Sequence, residues 1–282
     1  MAICDMSGRL YLVATPIGNL EDITYRALRI LREADLIACE DTRHTRKLLD
    51  HYGISKPLTS YHEHNEAARA QELVAKLLAD ASVALVSDAG MPLVSDPGYR
   101  VVAAAIAAGI SVIPIPGPSA GVAALAASGL PTDSFYFGGF LPAKSGQRNR
   151  VLEALRDNSS TLIFYEAPHR ILATLADVEK VLGPRDVVVA RELTKIYEEF
   201  LRGSVAEVRA ILESRPPVKG EITLLIGKAG APPPDATTVP EAVEACERAG
   251  MSRMDAIKEV ARKRGLSKRE VYRQVQRDKG LM

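Results

Sequence analysis

The chain has 282 residues, of which 47% are hydrophobic and 25% are charged, and its formal net charge at pH 7 is +1. Because single hydrophobic cores stop growing at about 250–300 residues, this length predicts roughly two modules. No run of about eighteen uncharged apolar residues occurs, and no basic segment followed by an apolar one opens the sequence, so we expect neither a membrane span nor a signal peptide, and a cytoplasmic protein.

The cysteines exclude two kinds of stabilising site. Cys4, Cys39 and Cys246 are odd in number, far apart and without C-x-x-C spacing. Disulfide frameworks and zinc sites use paired, closely spaced cysteines. We therefore expect three packing thiols and no metal site built on them.

Short apolar runs alternate with helical patterns along most of the chain. Strands are predicted at 10–14, 36–39, 83–86, 112–115, 135–140, 161–165, 187–190 and 222–226. Helices are predicted at 25–32, 43–51, 66–78, 101–108, 148–156, 171–182 and 205–212. This alternation is typical of α/β proteins.

Two changes in composition divide the sequence. After P-G-P-S at 116–119 the segments become more aromatic and resemble antiparallel strands, and residues 228–235 have the composition of a linker. The predicted regions are an α/β domain at 1–117, a second at 118–228, and a linker with a small helical module at 229–282. Helices at 239–248, 252–263 and 268–276, the last with Ser267 as N-cap, resemble a helix-turn-helix nucleic-acid module.

The C-terminal segment is strongly basic. From Arg248 to Lys279 there are eleven cations against four acids, so this segment carries +7 and the remaining chain −6. Lysine and arginine contacts to phosphates release condensed counterions, so the segment predicts a polyanionic partner. The alternative is an ordinary solvated helical face.

The sequence V-S-D-x-G occurs twice, at 86–90 and 94–98, directly after a predicted buried strand. Ligands of open parallel sheets bind beyond the carboxyl ends of the strands, where glycine lets the backbone approach them closely. We therefore predict a ligand loop. The alternative is a tight turn in which Asp96 caps the following helix.

Five motifs follow one another along the chain. They are A-T-P-I-G-N-L at 14–20, the doubled loop, P-G-P-S-A at 116–120, Y-E-A-P-H-R at 165–170 and A-R-E-L-T-K at 190–195. With the basic tail, they resemble the tetrapyrrole methylase family of S-adenosylmethionine-dependent enzymes, from Leu10 to the C-terminus. The loop S-D-A-G-M-P, in place of the G-D-P type of the porphyrin and corrin branch, resembles the RNA-modifying branch.

This resemblance implies the fold, which is two α/β domains of the tetrapyrrole methylase type with an inter-domain cofactor cleft, plus a small C-terminal helical module. It also implies that the protein is commonly a homodimer. The Rossmann fingerprint G-x-G-x-x-G is absent after the first strand, so a nicotinamide dehydrogenase is not favoured.

The resemblance also implies which residues contact S-adenosylmethionine. They fall into three groups: Asp88, Ala89, Gly90 and Met91; Ser119 and Ala120; and Tyr165, Ala190 and Thr223. The first group is expected along the methionine part, the second beside the cofactor after the fourth strand, and the third around the adenosine. For Ala120 and Ala190 the alternative is a position in the hydrophobic core.

The implied reaction transfers the sulfonium methyl group to a ribose 2′-hydroxyl, on a cytidine of small-subunit ribosomal RNA. Such a transfer depends on alignment of the reacting atoms and on removal of a proton. Asp41, Glu192 and Lys195 offer two carboxylates and an ammonium that would orient the ribose and either lower the pKa of the lysine or receive the proton. The alternative is that Asp41 caps a helix and Glu192 pairs with Arg191 or Lys195.

Histidines and arginines give two further predictions. His62 and His64 alternate by two, so on a strand they would share a face, but such a pair is rarely a metal site and we predict none. Arg43 and Arg170 are predicted to contact RNA phosphates.

Two rival functions stay open from the sequence. A methylase of a tetrapyrrole precursor would share the cleft and the cofactor but needs no basic appendage. A non-catalytic nucleic-acid-binding regulator would keep the scaffold as a ligand sensor. A steep salt dependence of RNA binding would distinguish an RNA methyltransferase from a tetrapyrrole methylase. Transfer of a labelled methyl group would distinguish it from a non-catalytic regulator.

Overall fold

The structure is a computed structural model that describes residues 8–215, 217–229 and 238–279. The chain divides into two compact units, 1–228 and 229–282. Cys4 and most of the predicted linker, residues 230–235, lie outside the described residues. Cys39 and Cys246 are free thiols.

The first unit begins with a parallel sheet. Its strands are β1 (Arg9–Val13), β2 (Leu36–Cys39), β3 (Leu58–Ser60), β4 (Val83–Val86) and β5 (Ser111–Ile115). They are ordered β3-β2-β4-β1-β5, and all four pairings are parallel. Buried parallel strands are near-continuous apolar runs, as in β4, where all four residues are buried.

Helices cover both faces of this sheet. They are α1 (Tyr25–Glu33), α2 (Thr42–His51), α3 (Glu66–Leu78) and α4 (Tyr99–Ala107). The first two pack on one face through Leu31 and Leu49, and the other two pack on the opposite face through Leu73 and Val101. Because these helices lie on the faces of the sheet, they do not cover its carboxyl edge, where the loops after β1 and β4 begin.

A second, mixed sheet follows. Its strands are β6 (Phe135–Phe140), β7 (Thr161–Glu166), β8 (Asp186–Arg191), β9 (Glu199–Ser204) and β10 (Ile222–Ile226), ordered β6-β7-β10-β8-β9. Only β6 and β7 pair in parallel, and the other three pairings are antiparallel. The predicted change toward antiparallel segments after residue 119 is confirmed.

The second sheet is also covered on both faces. Helices α6 (Ser145–Ala154), α7 (Ile171–Leu182) and α8 (Val205–Glu213) share one core with it. On the other face, α5 (Ala120–Ser128) packs through Ala124 and Leu125 against the three central strands. Ile17, from the loop after β1, also packs into this second core. This contact connects the first sheet to the second.

Two strands and one α-helix of the described residues were not predicted from the sequence. β3 has three residues, none of them fully buried, and β9 has one buried residue in six. Both are edge strands, so neither shows the apolar run of a central strand. α5 reads A-G-V-A-A-L-A-A-S and is apolar all round, so it lacks the helical periodicity on which the prediction relied.

The unit at 229–282 contains α9 (Val239–Arg248), α10 (Arg253–Arg264) and α11 (Lys268–Lys279). They enclose a core of their own that includes Val243, Ile257 and Val271. Ser267 accepts from the backbone N–H of Glu270 at 3.2 Å, and the Glu270 carboxylate accepts from the Ser267 N–H at 3.0 Å. The predicted cap is confirmed, as a reciprocal capping box.

No helix in the described part of the chain combines the length and the apolar character that a membrane crossing requires.

Candidate active site

The doubled V-S-D-x-G segment forms the loop between β4 and α4. Thr15 and Gly90 exchange two backbone hydrogen bonds, of 2.9 and 3.0 Å, which join this loop to the one after β1. The Thr15 hydroxyl also donates to the Ser87 carbonyl at 3.1 Å. Because β1 and β4 are parallel neighbours, both loops leave the same edge of the sheet, where α/β proteins bind ligands.

The second half of the loop has a constrained backbone. Leu93 and Ser95 have φ values of +73° and +68°, which are costly for residues with a β-carbon and typical of functional loops. α4 begins after Gly98, whose N–H donates to the Glu66 carboxylate at 3.2 Å. Glu66 therefore caps α4, which is the role that the alternative interpretation of the loop gave to Asp96.

All nine residues that the resemblance implied for cofactor contact line one cavity of about 430 Å³. Strand register explains how the last three come together. Thr223 of β10 stands opposite Tyr165 of β7 on one side and opposite Ala190 of β8 on the other. Residues opposite each other on adjacent strands point to the same face, so these three form one wall.

The wall is apolar and largely enclosed. Ala190 is fully buried and Thr223 is 4% exposed. The Tyr165 ring packs edge-on against Phe137 and Phe140, with centroids 5.1 and 5.6 Å away. Burial raises the pKa of the Tyr165 hydroxyl, so it stays protonated and available as a hydrogen-bond donor.

Among the described residues, the lining of this cavity includes four carboxylates and no basic side chain: Asp88, Asp96, Glu166 and Glu221. Glu166 pairs with Arg170 and Glu221 with Lys195, whereas neither aspartate has an ion pair within the described part of the chain. Burial, together with the charges of Glu40 and Asp88, raises the pKa of Asp96 to about 6. The cavity therefore suits a cationic ligand.

Lys195 and Glu192, two of the three predicted catalytic residues, form an ion pair. Lys195 Nζ lies 2.8 Å from Glu192 Oε1 and 3.2 Å from Glu221 Oε2. Burial lowers the pKa of the lysine, but these two carboxylates outweigh it and the net pKa is raised. The expected lowering of the lysine pKa is wrong, because the ammonium is held between two carboxylates.

Backbone geometry fixes this pair. Glu192 and Thr194 have φ values of +52° and +66°, and the Glu221 N–H donates to the Glu192 carboxylate at 2.9 Å. The hydrogen bond from Lys195 is the main cause of the lowered pKa of Glu192. Glu192 is therefore ionised and holds Lys195 in one place.

Asp41, the third predicted catalytic residue, lines neither of the two cavities described here. Its carboxylate begins α2 by accepting from the Arg43 N–H at 2.8 Å, and it also pairs with the Arg43 guanidinium at 2.9 Å. The Arg43 side chain is the main cause that lowers the pKa of Asp41 to about 2. The structure thus shows the helix cap that was its alternative role.

A second cavity, of about 450 Å³, adjoins the first. Both are lined by Ile17, Asp88, Ala89 and Glu221. The second is lined in addition by Pro16 and Gly18 of the loop after β1, by His44 and Lys47 of α2, and by Lys195. The predicted catalytic lysine therefore lies beside the residues that are predicted to contact the cofactor, at the second cavity.

Several residues that line the first cavity carried no clear sequence signal. Phe140 ends an exposed strand pattern, and Gly220 and Glu221 precede a strand rather than follow one. Asp96 had a signal, since it stands in the second V-S-D-x-G where Asp88 stands in the first. The repeat itself therefore indicated both aspartates.

One other prediction is corrected by the geometry. Arg170 is held inside the fold by Glu166 at 3.1 Å and by the Leu141 carbonyl, so it is not a free phosphate contact. His62 and His64 follow β3 in a turn rather than on a strand, with ring centroids 6.0 Å apart. Within the described residues, no group of three or more His, Cys, Asp or Glu side chains has an arrangement that would hold a metal ion.

Comparison with known proteins places this fold and cavity in one family. The model of the tetrapyrrole (corrin/porphyrin) methylases matches residues 9–209, which run from β1 into α8 and include β1 to β9. This chain belongs to the tetrapyrrole methylase family. As a member, it is an S-adenosylmethionine-dependent methyltransferase.

Relatives within the family are similar over most of their length. A protein from Synechocystis sp. named ribosomal RNA small subunit methyltransferase I is 49% identical over 91% of this chain and 93% of its own. A protein of the same name from Vibrio cholerae serotype O1 is 55% identical over 77% of this chain and 76% of its own.

Solved structures show the same fold at low sequence identity. Diphthine synthase has a TM-score of 0.61 at 16% identity and covers 78% of this chain and 90% of its own. The uroporphyrin-III C-methyltransferase of Thermus thermophilus, complexed with S-adenyl homocysteine, has a TM-score of 0.54 at 21% identity and covers 79% and 98%.

The chemistry of the first cavity fits S-adenosylmethionine. Its volume is within the range of about 300–1,000 Å³ that is usual for small-molecule sites. The cofactor carries a sulfonium and an ammonium, and the cavity presents two unpaired aspartates. Tyr165 and Thr223 add hydroxyl groups on an apolar wall that suits a base and its ribose.

Proposed function

We propose that this methyltransferase methylates the 2′-hydroxyl of a cytidine ribose in small-subunit ribosomal RNA. The observation that carries the proposal is the identity to the Synechocystis relative, which extends over 91% of this chain. That share is larger than the first unit alone, so the similarity also reaches the basic helical unit. A tetrapyrrole methylase needs no basic appendage, although the carboxylates of its substrate would also attract one.

For the cofactor, we propose that the nine residues named from the resemblance, all of which line the first cavity, contact S-adenosylmethionine. Asp88, Ala89, Gly90 and Met91 would hold the methionine part. The unpaired carboxylates there favour a cationic sulfonium. Tyr165, Ala190 and Thr223 would enclose the adenosine as one wall.

The residues of this chain have two tasks in the proposed reaction. S-adenosylmethionine supplies an activated methyl group, so the protein must align the acceptor oxygen and favour loss of its proton, which passes to solvent water. We propose that Lys195, held in its charged form, donates a hydrogen bond to that oxygen and stabilises the negative charge that develops on it. Glu192 is a positioning residue that acts through Lys195, and Asp41 acts only by starting α2.

The helical unit supports an RNA substrate. Several of its cations form ion pairs within their own helix, namely Lys258, Arg262 and Lys263. Lys268 and Arg269, on the exposed side of α11, make no ion pair with any described residue, and Tyr272 beside them is 49% exposed. Unpaired cations next to an exposed aromatic ring suit a nucleic-acid strand.

We also propose a homodimer in the cytoplasm, where a ribosomal substrate is assembled. Large apolar side chains are strongly exposed on the first unit, including Tyr25 at 93%, Ile196 at 94% and Tyr197 at 72%. Exposed apolar groups mark surfaces that bind partners when they form a patch. Light scattering of the purified protein distinguishes a dimer from a monomer.

The decisive experiment is methyl transfer to ribosomal subunits. Purified protein is incubated with methyl-labelled S-adenosylmethionine and either small or large subunits, and nuclease mapping then locates the label. We expect label on one cytidine ribose of the small subunit and none on the large subunit. Label on a base, or no label on RNA while the cofactor still binds, would reject the proposed substrate.

A further inference from the structure

We propose that the second cavity is the acceptor site of the enzyme, in which Lys47 and His44 of α2 bind a phosphate of the RNA strand. The target nucleotide then lies with its ribose toward Lys195 and the cofactor cavity. This inference rests on the proposed function and adds the place and the contacts of the substrate.

The first argument is the position of the second cavity. Its wall is shared with the cofactor cavity at Ile17, Asp88 and Ala89, so a ligand in one is adjacent to a ligand in the other. Lys195 lines the second cavity and not the first. An acceptor oxygen near Lys195 therefore lies next to the methyl donor without occupying its space.

The second argument is the distribution of charge. The ammonium of Lys195 is neutralised by Glu192 and Glu221, and Asp88 accepts a backbone N–H from Asp41 at 3.3 Å. Lys47 and His44, in contrast, make no ion pair or hydrogen bond through their side chains with any residue the structure describes. Among the described residues, they are the basic side chains of this cavity whose charge no carboxylate offsets, so they are available to a phosphate.

The third argument is the geometry of α2. His44 and Lys47 are three residues apart, so they share one face of the helix, and both are exposed. The Asp41 cap fixes where the helix begins and so which side chains face the cavity. Arg43, 88% exposed, and the exposed Arg46 extend the positive charge along the same helix.

The apolar part of the lining fits the rest of a nucleotide. Pro16, Leu20 and Leu48 provide carbon surface in the lining of this cavity. A volume of about 450 Å³ is within the range of sites for single small molecules. One nucleotide turned out of an RNA strand would place its base on this surface and its phosphate at the helix.

The test compares two exposed helical lysines of the same unit. Lys47→Ala removes the proposed phosphate contact, Lys47→Arg keeps its charge, and Lys76→Ala is the matched control on α3, which lines neither cavity. Each full-length variant is assayed for methylation of small ribosomal subunits, for subunit binding at several salt concentrations, and for S-adenosylmethionine affinity by calorimetry.

For Lys47→Ala we expect KM for the subunit to rise about tenfold, as for loss of one charged hydrogen bond, with kcat within about twofold. The slope of log K against log salt should fall by about one. Lys47→Arg should restore most of the binding, and cofactor affinity should be unchanged in every variant.

The inference is overturned if Lys47→Ala and Lys76→Ala behave alike in KM and in salt slope. It is also overturned if Lys47→Ala weakens cofactor binding, because the second cavity would then belong to the donor. Failure of the wild-type protein to methylate subunits is a separate outcome, which rejects the proposed function itself.

Discussion

The side chain of Lys195 occupies the space that a β-carbon on Gly18 would need. Such a carbon would lie 2.5 Å from Lys195 Cγ and 2.9 Å from Thr194 Oγ1. The A-T-P-I-G-N-L motif after β1 and the A-R-E-L-T-K motif after β8 are thus one structural feature. Glycine at position 18 lets the lysine cross the loop and reach the second cavity.

Gly18→Ala should therefore displace Lys195 without disturbing the first cavity, which Gly18 does not line. We expect methyl transfer to fall at least about tenfold, since misplacement of a catalytic group by about 1 Å can cost 10²-fold. Cofactor affinity by calorimetry should change less than twofold. Gly146→Ala, in α6 where a β-carbon meets nothing within 4 Å, is the control and should leave activity unchanged.

Lys195→Met tests the charge of the lysine while keeping a side chain of similar shape. If the ammonium stabilises the developing negative charge, kcat should fall about 10²- to 10³-fold, as for loss of one such donor. Binding of the cofactor and of the subunit should change little. Single-turnover methyl transfer measures the effect, and a rate within threefold of wild type would remove Lys195 from the mechanism.

Asp96→Asn tests the unpaired carboxylate. The pKa of Asp96 is raised from 3.8 to about 6 in the folded state, first by burial and then by Glu40. The contribution of protonated Asp96 to the free energy of unfolding is fully present below pH 3.8. It is lost as the pH rises through about 6.

Asparagine stays neutral at every pH, so the variant should be more stable than wild type at about pH 8, by at most about 3 kcal/mol. The gain should shrink toward zero at about pH 4. Thermal unfolding at both pH values measures it. An equal gain in stability at both pH values would show that burial of the charged carboxylate is not what limits the stability of the wild type.

Local sequence patterns predicted the central strands and most helices, because burial on both faces leaves continuous apolar runs such as those of β4 and β10. They did not predict β3, β9 or α5, where burial is one-sided or uniform and no periodicity results. The nine residues that are predicted to contact the cofactor came from the resemblance. Tyr165, Ala190 and Thr223 form one wall because of the register of three strands. That register is set only when the sheet is assembled.

Electrostatic roles were the least predictable part. Burial lowers the pKa of a lysine and a neighbouring carboxylate raises it, so the net direction depends on the geometry, and for Lys195 the pairing with both Glu192 and Glu221 outweighs burial. Glu221 lies 26 residues away in sequence. In the same way, Arg170 is unavailable to a phosphate because it pairs with Glu166 at the end of β7.

Arg170 and Arg43 should therefore respond differently to substitution. Arg170→Ala leaves the fully buried Glu166 carboxylate without its cation, so we expect the free energy of unfolding to fall by about 3 kcal/mol. The salt slope of RNA binding should not change. Arg43→Ala, at an 88% exposed side chain, should leave stability nearly unchanged and weaken RNA binding. Denaturant unfolding and salt titration together measure both effects, and the reverse pattern would contradict the assignment.

The last prediction concerns the exposed face of α11. Lys268 and Arg269 are unpaired within the described residues, whereas Lys258 and Arg262 of α10 pair with Asp255 and Glu259. Because only an unpaired cation is fully available to a phosphate, replacing Lys268 and Arg269 together by alanine should lower the salt slope of RNA binding by about two.

The matched control replaces Lys258 and Arg262 together by alanine, which removes the same charge from the same unit. We expect a smaller loss of affinity from it, since each of these cations already has a partner. Helical content by circular dichroism should be similar in both variants, because neither pair contributes to the core of α9, α10 and α11. Equal losses from both pairs would mean that the unit binds RNA by its net charge alone, and no loss from either would exclude it from RNA binding.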